Sequence, residues 1–176
     1  PFYILREAWN ILNAIAEGKI ESGDEKKLNA LKGETMAVIA LCQFDLTRCF
    51  GYPYTKDKGA SLGAPLIDHL VGTYENPPRS TVAQAYDFII ETLEEAVTLM
   101  SEEKNNGRMN KYAARALLAR IYLYHDDNRK AFDSADQLIK DADTSGSYAL
   151  YPHEKYVAAW SVETKFGSES FFEIAN

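Results

Sequence analysis

The stretch from Gly33 to Phe50, "GETMAVIALCQFDLTRCF", is apolar on nearly every side of a helix and then halts in the aromatic run "FGYPY". A helix with one apolar stripe packs against one neighbour, whereas a helix apolar all round has to be covered on several sides. Met36, Ile39, Ala40 and Cys42 form one face here, and Val38, Leu41 and Phe44 fill the others. The stretch therefore demands an interior position between other elements. No run in the chain approaches the roughly 20 apolar residues of a bilayer span.

The rest of the chain supplies the cover. Its 176 residues, 46% of them hydrophobic, suffice for one domain with a real core. The net charge of −7 is spread along the chain, with no basic stripe to meet phosphates, so nucleic acid is not an expected partner. Cys42 and Cys49 lie seven residues apart on one helix, roughly 10 Å, too far for a disulfide; both read as small core residues. The chain starts at Pro1 without a Met and ends in "ESFFEIAN", which reads as a strand, Ser170 to Ile174, with nothing to pair against. A domain incomplete at both ends is the expectation.

Periodicity predicts five helices, at about 3–17, 24–50, 80–101, 110–124 and 129–143, with a long loop at 51–79. Gly18 ends the first, Asp24 caps the second and Ser80 caps the third. Leu118, Ala119, Tyr122 and Ala131 follow the tetratricopeptide pattern, with Arg115 where its Trp usually stands. Small residues let two antiparallel helices approach closely, and the Tyr fills the gap to the next repeat. Ile39 and Ala40 begin a second repeat, interrupted by the long loop. The fold class expected is all-α, built of tetratricopeptide-like helical repeats.

Catalytic chemistry is hard to find. His69, His125 and His153 sit in unrelated loops, and no Gly-x-Ser-x-Gly elbow occurs. "DADTSG", Asp141 to Gly146, resembles half of a calcium loop, but Pro152 stands where the closing Glu belongs, so a helix end is preferred. "GASLG" lacks the Lys-Ser/Thr of a phosphate loop. No metal and no cofactor are expected. Tyrosines are more suggestive: of eleven, Tyr52, Tyr54, Tyr74, Tyr148, Tyr151 and Tyr156 fall in loops, where a ring can stack on a sugar or simply cover a helix end.

Five blocks then carry a resemblance. "GETMAVIALCQFDLTRCFGYPYT", "LGAPLI", "RSTVAQAYDFIIETLEEA", "GRMNKYAARALLARIYLYHDDNRKAFDSADQLI" and "ESFFEI" occur in that order. Each is weak alone, but the order and spacing closely resemble the SusD/RagB family of outer-membrane glycan-binding lipoproteins. The resemblance implies a protein on the outer face of the outer membrane, held by a lipid anchor that this chain does not show. It also implies a partnership with a SusC-like TonB-dependent transporter, and binding of an oligosaccharide or polysaccharide without chemistry. Ligand residues vary in that family, so none transfers by motif match. Phe2, Tyr3 and Arg6 at the start of the first helix are the nearest guesses, with Tyr52 and Tyr54 next. The alternative is a tetratricopeptide-like scaffold that binds only protein. An enzyme would need two convergent carboxylates in a cleft.

Overall fold

The computed structural model describes residues 1–20, 23–105, 107–160 and 166–174. Five long helices carry the fold: α1 (Phe2–Ala16), α2 (Glu25–Phe50), α3 (Val82–Leu99), α4 (Lys111–Tyr124) and α5 (Asn128–Ser145). Their ends follow from local chemistry. After α1, Gly18 adopts φ +68, and the amides of Gly18 and Lys19 return to the carbonyls of Ile15 and Ala14. The Asp24, Asn110 and Asp127 side chains accept first-turn amides of α2, α4 and α5. Gly146, in the left-handed region, closes α5.

The all-round apolarity of α2 is explained by two separate cores. Met36, Ala37, Ala40 and Phe44 face α3 and α4, where they meet Tyr86, Ile89, Leu93, Ala114 and Ile121. Ile39, Cys42 and Leu46 face the other way, against Leu5 and Ala8 of α1 and Ala64 and Ile67 of the long loop. Helix α3 runs antiparallel to α2: Gly33 approaches Ala96, Leu99 and Met100, while Gly51 approaches Val82. Helices α4 and α5 continue the alternation. Arg115, where the repeat usually has Trp, donates to Asp141 of α5 at 2.7 Å, and Tyr122 Oη donates to Glu94 of α3 at 2.5 Å. Burial and the Glu94 contact push the Tyr122 hydroxyl above its usual range.

Several expectations need correction. The loop at 51–79 is not without structure of its own. It holds a 3₁₀ turn at Tyr54–Lys56 and a strand, β1 (Leu62–Pro65), which pairs antiparallel with β2 (Arg79–Thr81). The cap of α3 is Thr81 and not Ser80, because Gln84 at the third helical position completes a capping box; Ser80 instead donates to Ala64 O. No strand forms at 170–174 among the described residues. Phe171 packs on the Tyr148 ring at 4.7 Å, and Glu173 accepts the amides of Phe166 and Gly167. The "DADTSG" segment is the last turn of α5 and its Gly C-cap, with Asp141 paired to Arg115 and Gln137. Those partners hold the Asp141 carboxyl below its usual range. Cys42 is buried as expected, but Cys49 is exposed.

Gly59 is where the loop bends onto α3. Its φ is +75, and an added Cβ would lie 2.6 Å from Ala83 N. Gly59→Ala is expected to cost about 2–3 kcal/mol from backbone strain and this collision, read as a lowered urea midpoint with unchanged m-value.

Candidate ligand-binding surface

Two exposed aromatic patches contain the five residues singled out in the sequence. The first lies at the start of α1. Burial of Leu5 and Ala8 turns Phe2, Tyr3 and Arg6 outward. Tyr3 is 69% exposed, and the Arg6 guanidinium carbon lies 5.3 Å from its ring centroid. Arg6 in turn donates Nε and Nη2 to Glu7 Oε1, at 3.1 and 3.0 Å. A ring, a cation and a carboxylate thus share one solvent-facing turn. Trp9 fixes this helix to the long loop by donating Nε1 to Ile67 O at 3.2 Å.

The second patch follows the break of α2. Gly51 is required there, since a Cβ would meet Thr47 O at 2.7 Å. Tyr52 is 57% exposed, with Lys56 Nζ 3.0 Å from its ring centre. Tyr54 differs. Its ring is half-buried and packs on His125 at 4.3 Å and on Tyr86 at 5.7 Å, edge-on. Among the described residues no hydrogen bond or ring contact joins Phe2, Tyr3 or Arg6 to Tyr52 or Tyr54. Of the five, the structure brings Tyr3 and Arg6 into contact, while Tyr52 and Tyr54 turn to different partners.

Asp45 and Arg48, one turn apart on α2, form an ion pair at 2.6 Å. The guanidinium lies over the rings of Phe44 and Tyr124, at 5.0 and 5.6 Å. This pair braces the end of the repeat scaffold behind the second patch. Among the other loop tyrosines, Tyr148 is buried, and its hydroxyl accepts from Asn110 Nδ2 at 2.7 Å. Tyr74 is 95% exposed.

Sequence reasoning missed the residue that positions the loop. Gln43 is completely buried, and its amide bridges backbone. Nε2 donates to Pro65 O at 3.1 Å, and Oε1 accepts from Ile67 N at 3.3 Å. A polar side chain inside an otherwise apolar helix face is the one signal that marks it. Trp9 carries no such signal, as it simply continues the apolar face of α1.

No helix among the described residues is long and apolar enough to cross a membrane, and no cluster of three or more His, Cys, Asp or Glu there is arranged to hold a metal ion.

Residues 3–123 match the model of a family described as starch-binding and associating with the outer membrane, the SusD-like proteins. The chain is 99% identical to a crystallised SusD superfamily protein of Bacteroides vulgatus ATCC 8482, over 100% of this chain and 40% of that one, with a TM-score of 0.97. It is 40% identical to a SusD superfamily protein of Bacteroides thetaiotaomicron VPI-5482, over 98% of this chain and 37% of that one, with a TM-score of 0.91. A laminarin-binding SusD-like protein shares the fold at 23% identity, over 96% of this chain and 34% of that one, with a TM-score of 0.74. The chain therefore spans well under half the length of each. No functionally curated protein matches it.

Proposed function

This chain belongs to the SusD-like family, and from that premise we propose that it is the helical part of a cell-surface protein that binds oligosaccharide and passes it to a SusC-like TonB-dependent transporter. The observation that carries the reading is the family match over residues 3–123 together with 99% identity to a SusD superfamily protein. The laminarin-binding relative supports a glycan as the ligand class, because the same helical framework serves a glycan binder there. The full-length protein sits at the outer face of the outer membrane, held there by a lipid anchor. It binds and releases its ligand without chemistry.

In this reading Phe2, Tyr3, Arg6 and Tyr52 meet the ligand, and Tyr54 holds the Tyr52 loop against the scaffold. A sugar ring offers an apolar C–H face and a rim of hydroxyls. The exposed Tyr3 face suits the first, and Arg6 with Glu7 suits the second, as donor and acceptor side by side. The test is calorimetric titration of the full-length protein with a panel of glucans. Tyr3→Ala is expected to weaken binding about three- to tenfold, the worth of one aromatic stacking contact. An unchanged affinity in both Tyr3→Ala and Tyr52→Ala would move the site off these patches.

A further inference from the structure

The loop after β1 contains an arrangement that the binding reading does not use. His69 is exposed, yet both of its ring nitrogens are engaged by carboxylates: Nδ1 lies 2.6 Å from Asp68 Oδ1 and Nε2 lies 2.7 Å from Glu75 Oε1. The second carboxylate oxygen of Glu75 accepts the amide of Gly72 at 3.0 Å. His69 and Glu75 thus join the two ends of a short loop whose middle is held at Gly72. Only an imidazolium can donate from both nitrogens. A neutral ring keeps one donor and turns a lone pair towards the other carboxylate, so one of the two short contacts becomes repulsive.

We propose that His69 is a pH-sensitive clasp, which holds the loop from Asp68 to Glu75 closed while its ring is doubly protonated and releases it when the ring loses a proton. The base of the loop is anchored independently, by Trp9 on Ile67 O and by Gln43 on Ile67 N, and Val71 packs on the smaller core. Release therefore frees the turn beyond Val71, which its own Glu75 N to Gly72 O bond at 3.1 Å keeps together as a unit, and leaves the fold intact. That segment carries Tyr74, the most exposed ring of those described here, so its position follows the clasp.

The groups that face His69 are Asp68 and Glu75, both from its own loop; among the described residues no charged group of α1 or α2 pairs with it. The two carboxylates raise the imidazole above its ordinary 6.5, with Asp68 the larger cause. The amide of Gly72 and the ring of His69 lower the Glu75 carboxyl below its ordinary value. The signs give a window. A raised imidazole contributes stability that is complete below pH 6.5 and is lost as pH rises through its folded value. A lowered carboxylate contributes stability above its unfolded value and loses it as pH falls through the folded one. The clasp is closed between these limits and opens on the alkaline side of the His69 titration.

The test is an NMR titration of the intact protein labelled at histidine, with amide exchange followed at Gly72. The His69 midpoint is expected above 6.5, and both Glu75→Gln and Asp68→Asn are expected to move it down. The Gly72 protection factor is expected to fall about two- to fivefold as pH rises through that midpoint, the range an exposed ion pair supports. In His69→Asn, which leaves the anchors at Ile67 untouched, protection is low and insensitive to pH. A midpoint at or below 6.5, or Gly72 protection that ignores the His69 titration, overturns the clasp.

Discussion

Replacing Gln43 with Leu is expected to cost about 2–4 kcal/mol and to loosen the loop that it anchors, with little change in side-chain volume. Leu fills the space but makes neither hydrogen bond, so Pro65 O and the buried amide of Ile67 both lose their partner. Each such group costs about 1–3 kcal/mol when left unsatisfied; the total is trimmed because Pro65 O is only partly buried. Chemical unfolding should show the lower stability, and hydrogen exchange should show the Ile67 amide losing protection first. A variant of unchanged stability with a protected Ile67 amide would mean that Trp9 and the smaller core hold the loop alone.

Phe44→Ala is expected to be the most damaging single change, at about 3–5 kcal/mol. The side chain is fully buried, touches Tyr86 and Tyr124 edge-on with centroids at 6.2 and 5.3 Å, and lies under the Arg48 guanidinium. Its loss opens a cavity at the junction of α2, α3 and α4, and removes the floor on which Arg48 rests. A second readout follows from Tyr86. Burial pushes its hydroxyl up to about 12, with the Arg48 charge opposing, so the native protein keeps it neutral where an unfolded chain does not. The stability this contributes is complete below the ordinary value of 10.0 and fades as pH rises from there to about 12. In the Phe44→Ala protein water reaches Tyr86, and its ionisation should move to lower pH in an ultraviolet titration. A stable variant with Tyr86 unmoved would show that the core collapses to fill the gap.

The framework was readable because its elements are long and their constraints local. An all-round apolar α2 can only be an inner helix, and its two cores satisfy that requirement. Asp24, Gly18 and Gly146 are helix-end residues whose meaning depends on neighbours within a turn. The repeat pattern from Leu118 to Ala131 places α4 against α5 for the same reason. The errors share an opposite cause. Strands β1 and β2 have four and three residues, too few for an alternation to register, and each exists only because the other is there. Ser80 and Thr81 are both capable caps, and the choice rests on Gln84, three residues beyond Thr81. Ser170 to Ile174 has the composition of a strand, yet its Phe171 ring packs on Tyr148, its Glu173 carboxylate accepts the amides of Phe166 and Gly167, and the Ser170 amide turns back to Gly167 O.

The candidate site was less legible than the fold. Tyr52, Tyr54, Tyr74 and Tyr148 are alike as loop tyrosines, but Tyr54 and Tyr148 are packed while Tyr52 and Tyr74 face solvent. What separates them is the neighbour across the fold: His125 and Tyr86 for Tyr54, Asn110 and Phe171 for Tyr148. No spacing encodes those partners. Gln43 is similar, since its partners are backbone atoms of a loop whose path depends on the whole domain.

Direct binding of the full-length protein to a polysaccharide panel, by affinity electrophoresis with calorimetry on any positive, tests the central claim most directly. The account predicts saturable binding to at least one glycan, weakened by Tyr3→Ala, with the polysaccharide recovered chemically unchanged. Failure to bind any glycan, alongside tight capture of a protein ligand by the same helices, would contradict it and leave a protein-binding helical scaffold in its place.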